Sequence, residues 1–119
     1  DYFMGSFETA LEAGEIITGV TFSAPEKAGY GRLANPASRF PLIGVFVAKF
    51  PDGPRVSVTG AGSGVFRVKE MEDALSQNWS AEAVKDVKVS NENCSSDLHA
   101  SADYRARMIT VMAERALSG

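Results

Sequence analysis

Among 119 residues there is one cysteine, Cys94, one histidine, His99, and one tryptophan, Trp79. A lone cysteine excludes an intrachain disulfide and any two-cysteine redox or metal motif, and it suits a reducing, cytoplasmic setting. A lone histidine with no cysteine at ligand spacing leaves no zinc set. Asp97, His99 and Ser101 lie two apart in one segment, but no nucleophile-elbow context surrounds Ser101, so the trio reads as a loop-to-helix junction. Basic charge is also scarce. The net charge is −3, and no basic stripe points to nucleic acid as a partner. The longest apolar run, residues 40–50, contains Pro41 and Gly44 and is far short of the ~20 residues of a membrane span. The first residues carry neither a basic region nor a long apolar core, so no signal peptide is expected. There is no initiator methionine either, and the chain reads as a single domain, residues 1–119, cut from a longer protein.

What is present is ordinary for a globular domain: 45% hydrophobic and 23% charged residues. A chain of this length buries about two-thirds of its unfolded surface and needs no metal or disulfide to fold. The first half carries strand patterns. Glu15–Ser23, with Ile16, Ile17, Val20 and Phe22, predicts a strand ended at Pro25, and Tyr30–Ala34 a second short one ended at Asn35-Pro36. Leu42–Phe50 is almost continuously apolar, as in a central strand. Pro51-Asp52-Gly53-Pro54 supplies turn chemistry, and Arg55–Gly60 then alternates, with Val56 and Val58 inward, so the two runs predict an antiparallel hairpin. Val65–Val68 predicts a further short strand after the turn Gly60–Gly64.

Helix patterns fill the second half. Lys69–Gln77 places Met71, Ala74 and Leu75 at helical spacing. Ser80 is a candidate cap for a short helix ending near Asp86, and residues 87–97 are polar and read as loop. Ser101–Leu117 is the strongest helix, with Ser101 as N-cap and Asp103 in the first turn, where the helix dipole favours a negative charge. On a helical wheel Tyr104, Met108, Ile109, Val111, Met112 and Ala116 share one side, and Arg105 and Arg115 fall within that apolar arc. An arginine there either snorkels to the edge or pairs with a carboxylate; for Arg105 the candidates are Asp97, Glu15 and Glu72.

Gly60-Ala61-Gly62-Ser63-Gly64 has the look of a phosphate loop, but a strand-like run follows it rather than a helix, and there is no Gly-Lys-Ser/Thr. It reads as a turn. No catalytic residue and no metal-ligating residue emerges from the spacing.

Four segments in order carry a resemblance. Thr9-Ala10-Leu11 with Glu15-Ile16-Ile17, Pro36-Ala37-Ser38 leading to Gly44-Val45, Thr59-Gly60-Ala61, and Asp97-x-x-Ala100-Ser101-x-x-Tyr104-Arg105 with Arg115-Ala116 resemble motifs of one domain. That domain is the C-terminal domain of the FAD-binding (medium) subunit of carbon monoxide dehydrogenase and xanthine dehydrogenase-like molybdenum hydroxylases. The resemblance implies an α+β fold, an antiparallel sheet packed on a layer of C-terminal helices. It implies the C-terminal part of an oxidoreductase subunit, one that covers the flavin and docks an iron–sulfur subunit for electron transfer. The N-terminal FAD-binding domain, with its glycine-rich loops, is absent from these residues. The implied partners are that domain, the iron–sulfur small subunit and the molybdopterin large subunit. FAD is expected in the full-length subunit and not in this chain alone, which is expected to be inactive. The flavin-contacting positions carried over are Ile17, where the family has an aliphatic residue, and Arg32, where it has a lysine. The two are expected on adjacent strands at one end of the sheet, partly exposed. A second reading of the same residues is a non-catalytic α+β module that docks subunits and makes no cofactor contact.

Overall fold

The computed structural model describes residues 2–119. Its centre is a four-stranded antiparallel sheet in sequence order: β3 (Lys27–Ala34), β4 (Pro41–Phe50), β5 (Gly53–Thr59) and β6 (Phe66–Arg67). A small separate ladder, β1 (Phe3–Gly5) with β2 (Glu8–Thr9), precedes it. Three helices follow the strands: α1 (Lys69–Gln77), α2 (Ala81–Val84) and α3 (Ala102–Ser118). The α+β layering implied by the resemblance is the one observed.

The β4–β5 hairpin turns at Pro51-Asp52, with Phe50 opposite Gly53, and Gly53 takes a φ of +127° that an L side chain rarely adopts. Alternation then sorts the strands. Ile43, Val45 and Val47 of β4 and Val56 and Val58 of β5 are buried on the helix side. They meet Met71 and Leu75 of α1, Val84 of α2, and Ile109, Met112, Ala113 and Ala116 of α3 in one core. Helix α3 covers β3 and β4, and α1 covers β5. The approach of α3 to β3 is close enough to need glycine. A Cβ on Gly29 would run into the Ala116 carbonyl, and one on Gly31 into that of Met112.

Both serine caps form: the Ser80 hydroxyl accepts from the Ala83 N–H, and that of Ser101 from the Tyr104 N–H. The wheel placed Tyr104 and Arg115 with the apolar residues, and the structure corrects both to exposed positions. The stripe that reaches the sheet is narrower than the apolar arc. It runs through Arg105, Ala106, Ile109, Met112, Ala113 and Ala116.

One strand expectation is overturned. Residues 15–23 form no strand. Among the described residues no backbone hydrogen bond ties residues 16–25 to the sheet, and Ile16, Ile17, Val20 and Phe22 lie in solvent at 80%, 56%, 79% and 83% exposure. A strand needs a ladder partner, and this segment has none within the chain. The second short strand is longer than expected, starting at Lys27, because β4 extends far enough to pair with it from Lys49 to Pro41.

Candidate functional site

The two candidate flavin-facing residues fall on different parts of the molecule. Arg32 sits on β3, the edge strand, opposite Gly44 of β4. The alternation Gly29-Tyr30-Gly31-Arg32 turns both glycines toward α3, so Tyr30 and Arg32 project from the open face. Tyr30 stands opposite Phe46, and Phe46 opposite Ser57; Gly44 stands between Arg32 and Thr59. The missing side chain at Gly44 leaves room for the Tyr30 ring tip and the Thr59 hydroxyl, which occupy the space a Cβ would need. The result is a shallow outer face carrying an exposed guanidinium, two aromatic rings at 53% (Tyr30) and 42% (Phe46) exposure, and the Thr59 hydroxyl. No ion pair to Arg32 is present among the described residues. A free cation beside two aromatic faces suits a planar, electron-rich ring. The motif comparison passed over Tyr30 and Phe46, although the Gly-x-Gly-x spacing in β3 was a readable sign that one face there bears all the side chains.

Ile17 is not on a strand next to β3. It lies in the unpaired arm of residues 16–25, and no backbone ladder joins it to Arg32. The expected exposure of both side chains is observed; the expected adjacent-strand geometry is not.

The last motif proves to be a folding device. Asp97 Oδ1 accepts from the N–H groups of His99 and Ala100, which closes the turn before the helix. Ser101 caps α3. Arg105, 3% exposed, sends Nη1 to the carbonyls of Leu42 and Gly60, both at 3.0 Å, and Nη2 to Asp97 Oδ2 at 2.8 Å. One guanidinium therefore ties the start of β4, the end of β5 and the loop before α3. Of the three proposed partners Asp97 is the one used. The N–H groups of His99 and Ala100 first, and then Arg105, hold the Asp97 carboxyl below its ordinary range against an opposing desolvation. Glu72 is committed elsewhere. It is buried, accepts from the Val56 N–H, and takes a forked pair from Arg67 at 2.7 Å with Lys69 at 3.1 Å. Burial pushes its carboxyl up, but Arg67, the Val56 N–H and Lys69 together outweigh that and leave it lowered.

The glycine turn is also structural. Gly60 has φ +76°, its carbonyl is taken by Arg105, and a Cβ on Gly62 would strike the Asn93 carbonyl. The turn is followed by a β-strand, β6, and not by the helix that a phosphate loop requires. The second and fourth motifs meet around an open concavity of about 460 Å³ lined by Leu33, Pro36, Leu42, His99 and Tyr104. Leu98, next in sequence to His99, and Phe40, two residues before Leu42, are strongly exposed. Among the described residues no cluster of three metal-ligating side chains exists, and no helix is long and apolar enough to cross a membrane.

An antiparallel sheet with helices on one face and an open face on the other defines a two-layer α+β domain. Over 99% of its length the chain superimposes on a structure of reconstituted CO dehydrogenase from Oligotropha carboxidovorans, with TM-score 0.80 at 21% identity. It also superimposes on a cyanide-inactivated Cu,Mo-CO dehydrogenase, with TM-score 0.69 at 20% identity. In each case it covers 46% of the solved chain. In sequence it is 32% identical over 127 aligned positions to the nicotine 6-hydroxylase medium subunit of Paenarthrobacter nicotinovorans, covering 98% of this chain and 45% of that protein. No family model matches the chain. The resemblance carried by the four motifs is thereby borne out: the chain is similar along its length to a hydroxylase medium subunit and shares the CO dehydrogenase fold, and it spans less than half the length of the proteins it matches.

Proposed function

We propose that this chain is the C-terminal domain of the FAD-binding subunit of a molybdenum hydroxylase, where it covers the flavin and docks the iron–sulfur subunit. The observation that carries the reading is the end-to-end similarity to a hydroxylase medium subunit, 32% identical over 98% of the chain. The outer sheet face supports the cofactor half of it. Arg32 is exposed there beside Tyr30 and Phe46, a surface that offers a ring system both stacking area and a positive charge. With a strand and no helix following the Gly60–Gly64 turn, the phosphate end of FAD would be held by the other half of the subunit. Bound FAD supplies the redox chemistry; Arg32 supplies a fixed positive charge that favours electron density on nearby ring oxygens. Ile17 provides apolar contact from the arm.

The test is made in the full-length subunit. Arg32→Ala is expected to lower the flavin midpoint potential or the FAD content, and Ile17→Ala to lower FAD content. If neither quantity moves, Arg32 is an ordinary surface charge. The exposed Phe40, Leu98 and Tyr104 around the apolar concavity favour the second reading, a subunit-docking module with no cofactor contact. Under that reading Tyr104→Ala weakens assembly with the iron–sulfur subunit while both flavin measurements stay at the wild-type level.

A further inference from the structure

The arm that failed to become a strand still has every property of one. Within residues 16–22 lie four large apolar side chains, Ile16, Ile17, Val20 and Phe22, all exposed. Scattered exposed apolar residues are normal on a protein surface; a run of them on one unpaired segment is not. Ile16, Ile17, Thr18, Val20, Thr21 and Phe22 are β-branched or aromatic, which fits a pleated, half-buried surface. The backbone N–H and C=O groups of residues 16–25 make no backbone hydrogen bond among the described residues, so they are free to form a ladder. Period-two alternation then divides the arm. Ile16, Thr18, Val20 and Phe22 fall on one face, and Glu15, Ile17, Gly19, Thr21 and Ser23 on the other.

The length of a similar subunit points to an occupant. Medium subunits similar to this chain are more than twice its length, since it covers 45% of one. A partner sheet edge in the remaining half would satisfy the arm's backbone and cover its apolar face, by the strand-addition mode of recognition. We infer that Glu15–Ser23 is a β-strand donated to the other half of the medium subunit, with Ile16, Val20 and Phe22 as its buried face and Ile17 on the opposite face. The inference rests on the reading of this chain as part of such a subunit. It also deepens that reading, because it gives neighbouring residues different duties. Ile16, Val20 and Phe22 hold the two halves together, whereas Ile17, facing the other way, is left for the flavin.

Hydrogen–deuterium exchange on the complete medium subunit, read together with its FAD content, tests this. Alternate amides of residues 15–23 are expected to be at least tenfold slower in the complete subunit than in the 119-residue chain alone. Val20→Lys is expected to abolish that protection and speed proteolysis between the halves. Val20 is exposed in this chain, so the same variant leaves the unfolding curve of the 119-residue chain unchanged; that control separates lost docking from lost folding. Rapid exchange of the arm in a subunit that retains FAD would overturn the strand donation and leave the proposed function standing. Protection without FAD would do the reverse. Protection already present in the 119-residue chain, with the mass of a dimer, would place the arm on a second copy and overturn the assignment.

Discussion

Replacing Arg105 by alanine perturbs the single side chain that joins both ends of the central hairpin to the loop before α3. The magnitude follows from its contacts. Two carbonyls, of Leu42 and Gly60, lose a charged donor at 3.0 Å in a part of the molecule where Arg105 itself is 3% exposed. Each buried acceptor left without a donor costs about 1–3 kcal/mol. Asp97 is different. Its side chain is 45% exposed and already accepts two backbone N–H groups, so water replaces the guanidinium there and nothing further is counted. Arg105 Nε is buried without a partner, and its removal returns about 1 kcal/mol. The expected net loss is about 3 kcal/mol, a large part of the ~5–15 kcal/mol that holds a domain together. Urea unfolding followed by circular dichroism measures it, provided the slope is unchanged between variants. Arg105→Lys keeps the charge but not the fork, and is expected to recover part of the loss. Asp97→Asn keeps the turn acceptor and is expected to lose less than Arg105→Ala. A loss below about 1 kcal/mol for Arg105→Ala would refute the reasoning, because it is the size of an exposed contact.

Gly31→Ala forces a Cβ against the Met112 carbonyl, backbone that cannot yield without moving α3, and is expected to destabilise by roughly 2–3 kcal/mol in the same assay. Glu72 has a folded-state carboxyl held below its ordinary range, so its contribution is present at neutral pH and is lost as pH falls through and below the ordinary carboxylate range, from about pH 4 downward; Glu72→Gln is expected to be less stable at pH 7 and to show a shallower acid transition than the parent. The 119-residue chain is expected to bind FAD weakly. A fluorescence titration showing micromolar or tighter affinity would contradict the assignment of the phosphate end to the other half of the subunit.

Much of the fold could be read directly. The alternation of Val56 and Val58, the turn residues Pro51 to Gly53, the helical spacing of Met71 and Leu75, and the caps Ser80 and Ser101 are local features whose physics is complete within a few residues. That Arg105 would either snorkel or pair, with Asp97 among its candidate partners, was legible too, because a charge in an apolar arc cannot stay buried alone. The candidate site was legible only as two positions, Ile17 and Arg32, and their surroundings were not. Tyr30 and Phe46 enter the site because strand register sets them opposite one another, and register is a property of pairing, not of either strand.

Tertiary structure alone decided three matters. Arg105 and Arg115 share one arc of α3, yet one is buried and the other exposed, because the stripe that reaches the sheet is narrower than the arc and takes in Arg105 but not Arg115. Asp97 rather than Glu72 pairs with Arg105, because the forked bond from Arg67 and the Val56 N–H already fill Glu72. Glu15–Ser23 has the residues of a strand and is not one. Propensity and alternation reside in a single segment, but a ladder needs a second one, and within this chain no segment pairs with it.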